Sequence, residues 1–355
     1  MTSQHAFKMS VISEFFVSMH KTLQDNFDAR RYNVDVRDHS REFALSEHSF
    51  FLDWFFTHQA DLFEAQQLLS DETSRQMFRA LVLYRLGGHL HVRLPSAVAR
   101  NTERRRRFDE VTVATPSDIQ LPGRFGRLAH YDFQWDSRRY VIDCIQGGLV
   151  GALVYGQYQY DRDGVRVMPE PGDHVIDGGA CLGDTAMLFS HLVGAEGRVY
   201  AFDPVEEHLL VCMENTRTMP HANVSVLPVG LSNENVDARP IRVGGYAPGF
   251  KARQPSGCQG PVPVRALDFM VESGEVKRID FLKLDVEGAE LDALRGGLNS
   301  ILRFRPKMAI SLYHKPNDLF EIIRFVSRAF PFYELYLDHY TIHREETVLY
   351  CRLRT

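Results

Sequence analysis

The sequence predicts an α/β protein in which a mostly parallel sheet follows a mainly helical N-terminal region. Three observations lead there. From Gly164 onward, short apolar runs alternate with helical periodicity, the pattern of parallel strands joined by crossover helices. Two segments, His174-Val-Ile-Asp-Gly-Gly-Ala-Cys-Leu-Gly-Asp184 and Phe281-Leu-Lys-Leu-Asp-Val-Glu-Gly-Ala-Glu290, each read as a buried strand that ends in an acid and turns at once into a helix. They lie about a hundred residues apart, a spacing consistent with one α/β domain. The last two apolar runs, Phe332–Leu337 and Glu346–Leu353, are joined by a short turn-rich link, which suits an antiparallel hairpin rather than another crossover.

Residues 1–150 read mainly as helices. Ser49–Leu69 places Phe51, Trp54, Phe55, Leu62 and Phe63 on one helical face. Ser70 or Asp71 can cap the next helix, which runs through Met77 and Leu81 and stops at Gly87–Gly88. Arg104–Arg107 is flanked by Glu103, Asp109 and Glu110 and reads as a solvated helix face, with an anion or partner patch as the alternative. The pattern turns irregular around Gly123–Tyr140, and a domain boundary is expected near residue 150, with the second domain at 151–355. Strands follow at Val175–Asp177, Arg198–Asp203, Asn223–Val229, Phe281–Asp285 and Lys307–Tyr313. Helices are expected at Asp184–Leu192, Glu206–Thr216 and Glu287–Leu298. Asp237–Pro263, rich in Gly and Pro, is either an ordered insert or a mobile flap.

The net charge of −5 supplies no global basic field for nucleic acid. Five scattered cysteines, with no C-x-x-C pair, argue against both a zinc framework and a disulfide scaffold, and fit reduced thiols in a cytoplasm. The N-terminus shows no signal-peptide pattern, and Ile145–Gly156 is too short and Gly-rich to span a bilayer.

The chemistry gathers at strand ends, where open α/β sheets bind ligands. Asp177 closes a strand, Gly178 and Gly179 permit a tight turn and close ligand approach, and Gly183 lets the helix pack near the strand. Asp203 ends the next strand and can accept two hydrogen bonds from a ribose diol. A dinucleotide site aims a helix N-terminus at pyrophosphate, which Asp177 would repel. A cationic cofactor without phosphate tolerates that carboxylate, and S-adenosylmethionine is one. The bland alternative is that Asp177 only caps the turn. Asp285 and Glu287 lie at the end of the fourth strand, although acids there, Glu290 included, also serve a helix dipole. His314 follows the fifth strand and is expected beside Asp285, where it can accept a hydroxyl proton. An interfacial histidine bonded to loop backbone is the alternative.

These segments resemble the FkbM family of S-adenosylmethionine-dependent methyltransferases. Asp177-Gly-Gly-Ala-Cys-Leu-Gly183 matches the pattern acid-x-Gly-x-x-x-Gly, with Cys181 where many relatives have a middle glycine. Val199-Tyr-Ala-Phe-Asp-Pro204 resembles the second cofactor segment, with Asp203 in place of the more usual Glu. Val229-Gly-Leu-Ser232 resembles the third, which passes the adenine. Phe281–Gly297 is similar to the family's most distinctive segment, and Ile310–Asp318 also resembles it. The resemblance covers about residues 155–355 and implies the seven-stranded, Rossmann-like sheet of class I methyltransferases. It implies S-adenosylmethionine held by Asp177, Gly178, Gly179, Gly183, Asp203, Pro204 and Ser232. It further implies catalytic roles for His314, Asp285 and Glu287 in methylating a hydroxyl of a sugar or polyketide-like product. The acceptor partner would then be a small molecule or a glycan. An Asp/Glu/His group at adjacent strand ends could also ligate Mg²⁺. Two rivals stay open, a nicotinamide-dependent oxidoreductase and a partner module that binds the cofactor without catalysis.

Overall fold

A computed structural model describes residues 3–27, 41–122, 125–240 and 261–354. The chain forms two compact units. The first holds the described residues of Met1–Arg100 and Leu312–Leu349, and the second those of Asn101–Gly245, Arg253–Ser311 and Tyr350–Thr355. The expected boundary near residue 150 falls inside the second unit. No helix among the described residues is long and apolar enough to cross a membrane.

Seven strands make the main sheet: β1 His174–Gly178, β2 Arg198–Phe202, β3 Val224–Leu227, β4 Phe281–Leu284, β5 Lys307–Ser311, β6 Tyr333–His339 and β7 Thr347–Leu353. Their order is β6-β7-β5-β4-β1-β2-β3. The run from β5 to β3 is parallel throughout. β6 and β7 are neighbours joined by a link too short for a crossover, so they run antiparallel. The reversal between β4 and β1 is the switch point, where the ends of neighbouring parallel strands open a crevice. Val175, Ile176, Phe281, Leu282, Leu284 and Ile310 are fully buried, the unbroken apolar run that a parallel strand covered on both faces requires. Lys283 breaks that run and is equally buried.

In the first unit, Asp71 caps the helix Glu72–Gly87 by accepting the Ser74 N–H at 2.7 Å, and Gly88 ends it at φ 68°. Ser70 and Ser74 pin β6 through the backbones of Leu335 and Leu337, at 2.8 and 2.9 Å. That covers what would be an open sheet edge. Trp54 packs its ring 6.2 Å from Phe320 and donates to Asn317 Oδ1 at 2.9 Å. Arg324 pairs with Asp61 and Glu64 at 2.6 and 2.8 Å.

In the second unit the helical expectation for residues 1–150 needs correction past Val111. Thr115–Leu121, Gly126–Trp135 and Arg138–Cys144 form a three-stranded antiparallel sheet. Asp136 and Ser137, at φ 48° and 63°, make the two-residue turn whose twist suits a tight hairpin. The solvated reading of Arg104–Arg107 fits Arg105 and Arg106, which pair with Asp109 and Glu103 at 2.8 and 2.6 Å along the helix Thr102–Val111. Arg104 instead stacks over Trp135 at 4.9 Å and donates to the Leu153 carbonyl at 2.9 Å.

The helix expected over Glu287–Leu298 is two short ones, Glu290–Gly296 and Leu298–Phe304. Glu287 and Gly288 precede them in left-handed backbone, φ 53° and 96°, which an α-helix excludes. Of the stretch Asp237–Pro263, residues 241–260 lie outside the described residues.

Candidate active site

Asp177, the end of β1, is wholly buried and does not face solvent. Lys283 Nζ stands 2.9 Å from its Oδ1, and the Thr185 hydroxyl donates to its Oδ2 at 2.7 Å. Lys283 also donates to the Gly179 carbonyl at 2.7 Å. Burial by itself would lower the Lys283 pKa, yet the Asp177 and Asp285 charges beside it raise it above the ordinary lysine value. The Asp177 charge is met from within the fold, and the carboxylate braces the glycine turn.

The glycines follow the same logic. At φ 80°, a Cβ on Gly179 would lie 1.8 Å from the Asp285 carbonyl oxygen. The close approach it permits is backbone on backbone, β1 exit against β4 exit. Gly178 sits equally tight, with Leu231, Leu284 and the Lys283 carbonyl 3.0–3.1 Å from such a Cβ. Gly183, at φ 90°, abuts Cys212 on the helix Glu206–Arg217 rather than the strand. The Gly179 and Ala180 N–H groups donate to the Phe202 carbonyl at 2.8 and 3.0 Å, tying the turn to the end of β2.

Beyond that end stands Asp203. Its Oδ2 accepts the Cys181 N–H at 3.0 Å and its Oδ1 the Val205 N–H at 2.9 Å. The carboxylate is thus fixed across the turn, and each oxygen keeps a lone pair, the acceptor capacity a ribose diol needs. Pro204 follows, and Gly230 packs on its ring, so that a Cβ there would lie 3.5 Å from the proline carbons. Ser232 is buried, accepts a hydrogen bond from Arg239, and packs its carbonyl against Gly296.

Asp184 opens the helix after the turn. Burial raises its carboxyl pKa to about 6; Lys283 opposes the rise and Asp177 adds to it. A Cβ on Gly148 would lie within 2.4 Å of Asp184 Oδ2, so the glycine makes room for this carboxyl.

Asp285 accepts a hydrogen bond from the Tyr158 hydroxyl at 2.8 Å. Tyr158 is itself held: its N–H donates to the Tyr350 hydroxyl at 3.0 Å, Gln157 donates to its hydroxyl at 3.0 Å, and Lys283 Nζ lies 5.1 Å from its ring centroid. It adopts φ 70°, a conformation costly for a bulky residue and kept only where its surroundings fix it. Glu290 is buried and turns back, its Oε1 accepting the Val286 and Gly288 N–H groups at 2.8 and 3.3 Å. It therefore braces the loop after β4. Glu287 lies exposed on that loop and not in a helix.

His314 belongs to the first unit, where it is buried with its ring centroid 4.2 Å from that of Tyr313. Four residues of the second unit were not visible as site residues in the sequence: Lys283, Thr185, Tyr158 and His208, the last with Nδ1 3.4 Å from Asp203 Oδ1. Lys283 carries a sequence signal, a charge inside a buried strand. Tyr158, remote in sequence and in an irregular stretch, carries none.

A parallel sheet of this order, with its glycine turn after β1 and its acid after β2, is the fold of class I methyltransferases. Residues 177–337 match the profile of the methyltransferase FkbM domain. A hexuronic acid methyltransferase, AglP, from Haloferax volcanii is 29% identical over 150 residues, covering 40% of this chain and 58% of its own length. The structure of an FkbM methyltransferase from Methylobacillus flagellatus KT superposes with a TM-score of 0.51 at 20% identity, over 84% of this chain and 60% of that one. The chain thus spans about three-fifths of the length of each, 58% and 60%.

Proposed function

We propose that this chain transfers a methyl group from S-adenosylmethionine to an oxygen of a sugar-type acceptor. The match of residues 177–337 to the FkbM domain carries the reading. The hexuronic acid methyltransferase among its relatives supports a sugar or sugar acid as acceptor. Bound, the cofactor supplies a methyl group on a cationic sulfonium, and the transfer is an in-line displacement. The residues therefore have two tasks, to position and to remove one proton.

Asp203, fixed by two backbone N–H groups, accepts from the ribose diol. The Asp177–Lys283 pair keeps the glycine turn rigid with its charge balanced. Asp285, oriented by Tyr158, faces the acceptor side, and Glu287 on the exposed loop reaches toward the acceptor. His314 takes the hydroxyl proton onto its imidazole. The five scattered cysteines, with no C-x-x-C pair in the sequence, support a reducing cytoplasm as the setting.

Calorimetry tests the cofactor half. Adenosylhomocysteine binds, and Asp203→Ala weakens it by about 1.5–3 kcal/mol, the loss of hydrogen bonds to a charged group. NADH binding without adenosylhomocysteine binding overturns the reading. The acceptor half is tested by single-turnover transfer of labelled methyl to uronic acids and neutral sugars. His314→Ala lowers turnover by about 10²–10⁴ while leaving adenosylhomocysteine affinity within a few-fold. Full turnover in that variant removes His314 from the reaction.

A further inference from the structure

We propose that Cys181, Asp203 and His208 form a site for a thiophilic divalent cation such as Zn²⁺, sharing Asp203 with the nucleoside cradle so that metal and cofactor exclude one another. The exclusion rests on the function proposed above; the metal site does not.

The Cys181 sulfur, a carboxylate oxygen of Asp203 and a ring nitrogen of His208 all lie within 4.8 Å of one another. Zn–S bonds of about 2.3 Å and Zn–N or Zn–O bonds of about 2.0–2.2 Å at tetrahedral angles bring ligand atoms to roughly 3.3–3.7 Å. Side-chain adjustment of about an ångström closes that difference. The three residues are already linked. Cys181, at φ 47°, donates its N–H to Asp203 Oδ2 at 3.0 Å, so the thiol and the carboxylate share one turn. Val205 holds the other carboxylate oxygen at 2.9 Å. The His208 ring is set by the edge of Phe125, 5.0 Å between centroids, and its buried Nδ1 completes no hydrogen bond among the described residues.

One thiol, one imidazole and one carboxylate make a mixed, soft donor set that suits Zn²⁺. Mg²⁺ wants oxygen ligands in an octahedron. With three protein ligands, water or an added anion takes the fourth position. Binding needs the thiolate, so Cys181 releases one proton as the metal–sulfur bond forms, and nothing is oxidised or reduced. A metal drawing on the Asp203 lone pairs takes away the acceptors that a ribose diol would use.

The test uses Co²⁺ on the full chain as a spectroscopic stand-in for Zn²⁺. A sulfur-to-cobalt charge-transfer band appears, is lost in Cys181→Ser, and is kept in Cys258→Ser, which controls for a thiol outside the described residues. His208→Gln weakens Zn²⁺ binding by at least about tenfold, since even outer-shell partners of a metal ligand are worth about 10–100-fold. Adenosylhomocysteine added to the cobalt-loaded chain bleaches the band. No band, or a band that survives Cys181→Ser, overturns the site. Adenosylhomocysteine that binds with the band undisturbed overturns the exclusion. Should adenosylhomocysteine fail to bind the metal-free chain, the proposed function falls, and the cobalt band still decides the metal site.

Discussion

Lys283 in the second unit and Arg85 in the first are both buried cations, 1% and 5% exposed, and their surroundings treat them in opposite ways. Lys283 has Asp177 at 2.9 Å and the Gly179 carbonyl at 2.7 Å. The acids around it raise its pKa in spite of its burial. Arg85 lies over the Trp54 ring at 5.6 Å; its Nη1 has no hydrogen-bond partner, and it makes no ion pair among the described residues. Burial, and then the charge of nearby Arg344, push its pKa down to about 9. It still carries its charge at neutral pH. Burial alone therefore says little about a charge. A partner within bonding distance makes Lys283 part of the frame, and the lack of one among the described residues leaves Arg85 a cost to the first unit.

The largest effect expected from this contrast is that of Lys283→Met. Truncating one member of a buried pair leaves Asp177 charged and unmatched, a loss of about 3–5 kcal/mol by chemical denaturation. A loss below about 1 kcal/mol would mean that the pair is wetter than its geometry indicates.

Arg85→Met is expected to move stability the other way. Replacing a buried charge by an apolar side chain of similar volume is neutral or stabilising, by up to about 4 kcal/mol. Marked destabilisation would reveal a partner for Arg85 and erase the contrast.

Tyr158→Phe removes one hydrogen bond to the Asp285 carboxylate. A loss of about 1.5–3 kcal/mol is expected, with adenosylhomocysteine affinity unchanged. Weakened adenosylhomocysteine binding in this variant would move Asp285 from the acceptor side to the cofactor side.

The smallest effect concerns Asp184, whose folded pKa of about 6 stands above its ordinary 3.8. Between those values the folded chain binds more protons than the unfolded chain, so this group lowers stability as pH rises from about 4 to about 6 and adds no slope beyond. Asp184→Asn removes that contribution. The stability of wild type minus variant should therefore fall across the window in pH-dependent denaturation. A flat difference would place Asp184 in water.

The parallel strands and the terminal hairpin were legible in the sequence because their signals are local. Val175–Asp177 and Phe281–Asp285 are apolar runs ended by an acid, and no distant residue is needed to read them. The sheet at Thr115–Cys144 was legible in principle, through the Asp136–Ser137 turn and the alternating burial of Phe133 and Trp135. Aromatics and charges without long apolar runs hid it. The helix start at Glu290 was misplaced because an acidic first turn and a braced acidic loop have the same composition. What separates them is the left-handed backbone at Glu287 and Gly288.

By itself, the sequence determined the fold class, the strand ends where acids collect, and the family resemblance, since hydrophobic periodicity and glycine spacing are properties of adjacent residues. Only the tertiary structure decided what those acids do. Asp177 read as a carboxylate that a cationic cofactor tolerates, and only the fold showed that β4 brings Lys283 against it, more than a hundred positions along the chain. Asp285 read as a strand-end acid expected beside His314, and only the fold brought Tyr158, from before the sheet, to its carboxylate. Coulombic and hydrogen-bond energies depend on distance and burial, and neither is fixed until strands far apart in sequence lie side by side.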